Sequence, residues 1–148
     1  MARTYRIGIL RKLVNALLGL SVRTGIGPGQ TYLLTTIGRR SGRARTTPVN
    51  LLEFESERWI VAPYGARPWV LNVRSAGTAE IRRGRRRETL TFEEVDATTA
   101  GPVLHAYLRE TPITAPYFDA EVGDPVERFI AEAPSHPVFR VTSVGGAT

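Results

Sequence analysis

The residues best suited to chemistry lie between Thr35 and Asn50. Arg39, Arg40, Arg43 and Arg45 fall within seven positions, beside Ser41, Thr46, Thr47 and Pro48 and around the turn formers Gly38 and Gly42. Guanidinium forks match phosphate and carboxylate oxygens two at a time, hydroxyls and turn amides add neutral donors, and glycines let the backbone approach a ligand closely. The pattern suits a polyanion cradle. An Arg-rich hairpin turn exposed to water has the same composition, so both readings stay open at this point.

A second stretch, Trp59 to Arg74, complements the first. Val61, Ala62, Pro63, Tyr64 and Gly65 form a strand end and turn of mostly small residues against which a flat ring fits. Trp69 opens a helical pattern, and Asn72 follows three positions later on the same face. The Asn72 amide both donates and accepts. Core packing for Trp69 and turn capping for Asn72 are the plain alternatives.

Other chemistry is sparse. Cysteine is absent, which removes disulfides, thiolate nucleophiles and Cys-based zinc sites. His105 and His136 are the only imidazoles and lack a metal-ligand spacing, so each reads as a hydrogen-bonded or surface histidine, and no metal is expected. Nucleophile-elbow and phosphate-loop signatures are missing. An enzyme built this way leaves the hard step to a bound cofactor.

The elements that must position these residues are legible from periodicity. Apolar residues at 7, 10, 14 and 17 predict a basic amphipathic helix over about 5–20, suited to lying on a core or on an anionic membrane surface. Gly25 to Gly29 reads as a linker turn. Strands are expected over 31–37, 46–54, 58–63, 78–82, 87–95 and 138–142, mostly as adjacent hairpins. Turns fall at Glu55-Ser56-Glu57 and Arg83-Gly84. Helices are expected over 68–76, with Pro68 in the first turn and Gly77 at the stop, and around 100–108 until Pro112 and Pro116 break the pattern. A last helix follows Asp124-Pro125-Val126-Glu127, with Asp124 as its cap. Short antiparallel strands with a few helices predict an α+β fold built on a small barrel, and residues 1–148 read as one domain.

The formal charge is +6, from 20 basic against 14 acidic residues, with Lys12 the only lysine. Nucleic acid, anionic lipid and anionic small molecules all answer to such a field. Arg82 to Arg87 carries five arginines around Gly84 and reads as a solvated hairpin tip, with the anionic tail of a ligand, anionic lipid or nucleic acid as alternative partners. No apolar run reaches the roughly 20 residues that span a bilayer, and the N-terminus lacks the layout of a signal peptide.

Taken together, Leu33 to Val49, Val61 to Gly65 and Trp69 to Val73 resemble the deazaflavin-dependent nitroreductase family of actinobacteria. Tyr117-Phe118-Asp119 and His136 to Phe139 extend the likeness more loosely. The resemblance implies a split β-barrel that binds coenzyme F420 and passes hydride to quinones, nitro compounds or activated enones. It implies that Arg40 and Arg45, with Arg39, Ser41 and Arg43 in the Gly38–Gly42 turn, hold the phosphate and the start of the glutamate tail. Thr47 and Pro48 would flank the ring system, Val61, Ala62, Pro63 and Tyr64 would run along its edge, and Trp69 and Asn72 would close the pocket. Hydride transfer also calls for a donor to the oxygen that gains charge, and Tyr64 and Tyr117 are the candidates.

The chain departs from the better-known nitroreductase pattern in a shorter loop between Ala62 and Trp69, with Pro63 and Tyr64 where small polar and basic residues stand. Only Tyr117 represents the tyrosine-rich substrate segment. The expectation is an F420-dependent oxidoreductase in the cytoplasm, monomeric or homodimeric, touching the inner face of the membrane through its N-terminal helix. The rivals are an FMN-binding barrel reductase, whose nucleotide phosphate the same arginines would grip, and a non-enzymatic basic module that binds nucleic acid or membrane. No nucleic acid partner is expected on the first reading.

Overall fold

The computed structural model describes residues 31–144, and the amphipathic helix expected at the N-terminus lies outside them. Six strands form a closed, wholly antiparallel barrel: β1 (Thr31–Ile37), β2 (Ala44–Phe54), β3 (Glu57–Val61), β4 (Thr78–Arg83), β5 (Arg86–Glu94) and β6 (Val138–Ser143). Their order around the barrel is β1-β2-β3-β6-β5-β4, closed by pairing of Leu33 with Arg82 and Thr35 with Glu80. Closure removes the sheet edges that would otherwise invite aggregation. Three α-helices among the described residues, α1 (Pro68–Ala76), α2 (Ala97–Glu110) and α3 (Val126–Glu132), are peripheral.

Strand alternation divides the apolar residues into two cores. Leu51, Ile60, Ile81, Leu90, Phe92, Phe139 and Val141 fill the barrel, and Val70 and Val73 of α1 join them. Leu52, Trp59 and Val61 belong to the other core, with Leu104, Tyr107 and Leu108 of α2 and Phe129 of α3. Neighbours such as Leu51 and Leu52, or Trp59 and Ile60, therefore serve opposite faces, which is the period-two rule acting on a sheet buried on both sides. Full burial of each large side chain contributes roughly 1.5–3 kcal/mol.

The helix limits have local causes. Pro68 opens α1 after the extended Arg67, and Gly77, at φ 79°, ends it by donating its N–H to Val73 O at 2.7 Å. That left-handed cap is easy for glycine and strained for other residues. Asp96 caps α2 by accepting from Thr99 N at 2.8 Å. The cap expected at Asp124 is not used. Pro125 occupies that position, and the Asp124 carboxylate instead accepts from Glu121 N at 2.8 Å, closing the preceding turn.

Two strand limits differ from expectation by two residues, and the others by one at most. β2 starts at Ala44 because Arg45 and Ala44 continue the ladder with Thr36 and Ile37, and β3 stops at Val61, before the proline. Its hairpin turn places Glu55 and Ser56 at φ 52° and 64°, the geometry of a tight two-residue loop made without glycine.

Helices α2 and α3 pack so closely that a Cβ on Gly101 would lie 2.4 Å from Ile130 Cγ1 and 3.2 Å from Ile130 N. Gly101→Ala should therefore destabilise the fold by about 1–3 kcal/mol. Thermal unfolding checks this, with Ile130→Ala in the same chain expected to recover part of the loss.

On the barrel wall, Arg58 grips Glu88 at 2.9 and 2.8 Å, and Ser143 touches the same carboxylate. The Arg58 hydrogen bond holds the Glu88 carboxyl below its ordinary value of 4.5. A carboxyl depressed on folding stabilises the folded state above its unfolded pKa, and the effect fades as pH falls through the folded one. The stability gap between the wild type and Glu88→Gln should thus shrink between about pH 6 and pH 2 in denaturant titrations.

Candidate functional site

The eleven residues of β2 outrun the five of β3. β3 pairs only with Leu51 to Phe54, while β1 pairs with all of Ala44 to Asn50. The second edge of β2 from Ala44 to Asn50 is consequently unpaired by the barrel, and Pro48, which has no N–H to offer a ladder, suits that edge. A cavity of about 920 Å³ opens there. All six residues from Arg45 to Asn50 line it, facing Val61, Pro63, Tyr64, Arg67, Pro68 and Trp69 across the gap.

One end of the cavity is cationic. The loop from Gly38 to Arg43 is closed by Gly38 N to Arg43 O at 2.8 Å and Gly42 N to Gly38 O at 2.9 Å, with Gly42 at φ 71°. The Ser41 hydroxyl accepts from Arg43 N at 3.2 Å. Asn72, buried under this loop, braces it. Its Oδ1 accepts from Arg39 N at 3.2 Å and Arg39 Nη1 at 3.0 Å, and its Nδ2 donates to Thr36 Oγ1 at 3.1 Å. Asn72 lies on the cavity wall, but its amide is committed to holding the turn. Arg40 and Arg45 form no ion pair among the described residues. Arg39, Arg40, Arg45 and Arg67 line the cavity with no carboxylate among the lining residues.

The other end is neutral and ringed with hydroxyls. Tyr107 of α2 reaches it beside Asn50, Thr31, Thr111, Ile113 and Thr114. Thr31 Oγ1 donates to Asn50 Oδ1 at 2.9 Å. Burial pushes the Tyr107 phenol well above its ordinary range and nearby Tyr64 adds to this, while hydrogen bonds with Asn50 and Thr111 act against it. Tyr107 therefore remains a neutral O–H donor. Tyr64 meets Tyr117 edge to face, with ring centroids 4.8 Å apart.

Of the residues singled out in the sequence, Gly38, Arg39, Arg40, Ser41, Arg45, Thr47, Pro48, Val61, Pro63, Tyr64, Trp69 and Asn72 converge on this one cavity. Four do not line it. Gly42 and Arg43 complete the turn behind, Ala62 is buried in the barrel core with its N–H on Pro137 O at 2.8 Å, and Tyr117 stands behind Tyr64. Sequence reasoning missed Asn50, Arg67, Tyr107, Thr111, Ile113 and Thr114. Tyr107 sits within a helical apolar stripe and so reads as core, whereas Arg67 was signalled by its place between Tyr64 and Trp69.

Both histidines are hydrogen-bonded, His105 Nε2 to Val122 O at 2.6 Å and His136 through both ring nitrogens. Among the described residues no group of three or more His, Asp or Glu is placed to hold a metal, and no helix is long and apolar enough to cross a membrane. Arg82 to Arg87 forms the β4–β5 tip, where Arg83 Nη1 donates to Thr31 O at 2.9 Å. The arginine turn follows Ile37 at the far end of β1, so the two basic clusters stand roughly 20 Å apart along the strand.

Removing the Asn72 brace by Asn72→Ala should cost about 1–3 kcal/mol, because Arg39 N and Thr36 lose a buried partner. Thermal unfolding and the crystal structure of the variant would show lower stability and a displaced Gly38–Arg43 loop.

Comparison with known proteins agrees with this geometry. A solved structure described as an F420-H2 dependent reductase (FDR-A) shares 23% identity over 76% of this chain and 94% of its own, with a TM-score of 0.52. Another, described as a domain-swapped dimer, shares 22% over 90% and 96%, with a TM-score of 0.55. A putative pyridoxamine 5'-phosphate oxidase from Listeria innocua shares 13% over 93% and 94%, with a TM-score of 0.51. These likenesses are of fold. No curated protein matches the chain. The profile of the F420H(2)-dependent quinone reductases matches residues 11–117, most of the chain, and in line with the cationic cavity this chain belongs to that family of redox enzymes.

Proposed function

We propose that the chain is an F420-dependent oxidoreductase that passes hydride between the deazaflavin and a small lipophilic acceptor such as a quinone, nitro compound or activated enone. The observation that carries this reading is the cavity itself, with four arginines and no carboxylate on its walls and a neutral, tyrosine-bearing far end. Its donor set fits the coenzyme. Arg40 and Arg45, unpaired by any carboxylate among the described residues, take the phosphodiester and the first glutamates of the tail, with Arg39, Ser41 and Arg67 adding donors.

The bound deazaflavin supplies the hydride. The protein's part is positioning and electrostatics. Thr47 and Pro48 on the open edge of β2, with Val61, Pro63, Tyr64 and Trp69 opposite, form a slot for a flat ring and keep water from its faces. Asn72 holds the arginine turn in one place. Tyr64 or Tyr117, which meet edge to face, donates to the acceptor oxygen that gains charge. The protein acts in the cytoplasm, and its basic N-terminal segment touches the inner face of the membrane. The chain is a monomer or homodimer, the latter in keeping with a similar fold described as a domain-swapped dimer.

Titration with F420 tests the reading. Arg40→Ala and Arg45→Ala should each weaken binding by at least about tenfold, since each removes charged hydrogen bonds worth roughly 1.5–3 kcal/mol. Binding weaker than millimolar, unchanged by either substitution, would end the proposal. A purified protein that is yellow with FMN would favour the mononucleotide, and nucleic-acid binding that collapses steeply with salt would favour the basic-module alternative.

A further inference from the structure

His136 lines no part of the cavity, yet it is 3% exposed and fully engaged. Its Nδ1 lies 2.8 Å from the Pro63 carbonyl oxygen, and its Nε2 lies 2.6 Å from Oε2 of Glu132, one helical turn back. The ring stacks on Phe118 with centroids 4.0 Å apart and planes within 20°. The Glu132 carboxylate has two further partners, since Oε1 accepts from Ala120 N at 2.8 Å and Oε2 from Asp119 N at 2.9 Å. A carbonyl oxygen can only accept, so His136 Nδ1 carries a proton. A second proton lies in the short contact between Nε2 and Oε2. Whichever atom holds it, the pair is neutral as a unit, and its burial leaves no unmatched charge.

This pair joins three stretches of chain that are distant in sequence. Pro63 immediately precedes Tyr64, Phe118 to Ala120 immediately follow Tyr117, and Tyr117 packs edge to face on Tyr64, which lines the cavity. A hydrogen-bonded network of this kind, satisfied at every atom, fixes one arrangement of what it touches.

We propose that Glu132 and His136 form a buried clamp that positions the Tyr64–Tyr117 pair, and through it the acceptor placed against that wall. Both are positioning residues, for neither reaches the cavity. The clamp rests on the proposed function only in the kinetic part of its test.

The experiment uses the full chain with Glu132→Gln and His136→Gln. Glu132→Gln sets one amide donor against a backbone N–H but keeps the side-chain shape, whereas His136→Gln removes the ring stacked on Phe118, so Glu132→Gln carries the smaller risk to folding. In nuclear magnetic resonance spectra both variants should shift the ring signals of Tyr64 and Tyr117 and the amides of Asp119 and Ala120, while the amides of Arg40 and Arg45 stay in place. Tyrosine ring signals that do not move in folded Glu132→Gln overturn the clamp.

The second readout is reduction of menadione with F420. The dissociation constant for F420 should remain within about twofold of wild type while kcat falls about tenfold, the scale of a small misplacement of reacting groups. An unchanged kcat in both variants also overturns the proposal. Failure of the wild type to bind F420 would instead sink the proposed function, and the resonance shifts alone would then decide the clamp.

Discussion

The site depends on a mismatch in length. β2 is eleven residues long and its neighbour β3 is five, so the barrel closes around one stretch of β2 and leaves the other with an open edge. The barrel interior is filled by its own side chains, and the large cavity among the described residues lies along that edge. The arginine turn is simply the loop that enters β2, and the Val61–Tyr64 segment is the chain leaving β3. Both walls of the cavity are consequences of where pairing stops.

Charge is then distributed along the opening. Arg45 sits in the ladder with Thr36, Arg39 is tied to Asn72, and Arg40 projects from the turn between them. An anion at that end meets guanidinium groups mounted on a strand and on a braced loop, so little reorganisation is needed to receive it. The opposite end holds uncharged donors, of which Tyr107 is kept protonated by its burial. A long molecule with an anionic tail and a flat, weakly polar head has one favourable direction in such a groove.

Much of this was legible in the sequence because the signals are local. Alternation gave four of the six strands to within one residue, and Pro68 with Gly77 marked α1 completely. The arginine cluster and the Ala62 to Asn72 stretch declared themselves through residue type. What escaped was set by tertiary context. Ala44 and Arg45 join β2 because Thr36 and Ile37 offer them partners, which no window on 44–50 reveals. Tyr107 has the spacing of a core residue and is one, yet its hydroxyl reaches the cavity because α2 crosses behind β2. Asp124 has the type of a cap, but Glu121 N captured it. His136 was read correctly as hydrogen-bonded, while its partners, more than seventy residues away at Pro63 and one turn away at Glu132, follow only from the fold.

The contiguous run from Arg45 to Asn50 has a metric consequence. Six residues of extended chain measure roughly 17 Å from first to last, and both of their ends are pinned, one by the arginine turn and the other by Thr31 and the hydroxyl cluster around Tyr107. The strand therefore acts as a gauge that sets the distance between the cationic end of the cavity and its hydroxyl-lined end. Because the β1–β2 register fixes that distance in whole-residue steps, it cannot drift gradually. A change of one residue would reverse the facing of the whole strand, so the shape of the cavity is free to vary through the walls opposite β2 while the gauge stays fixed.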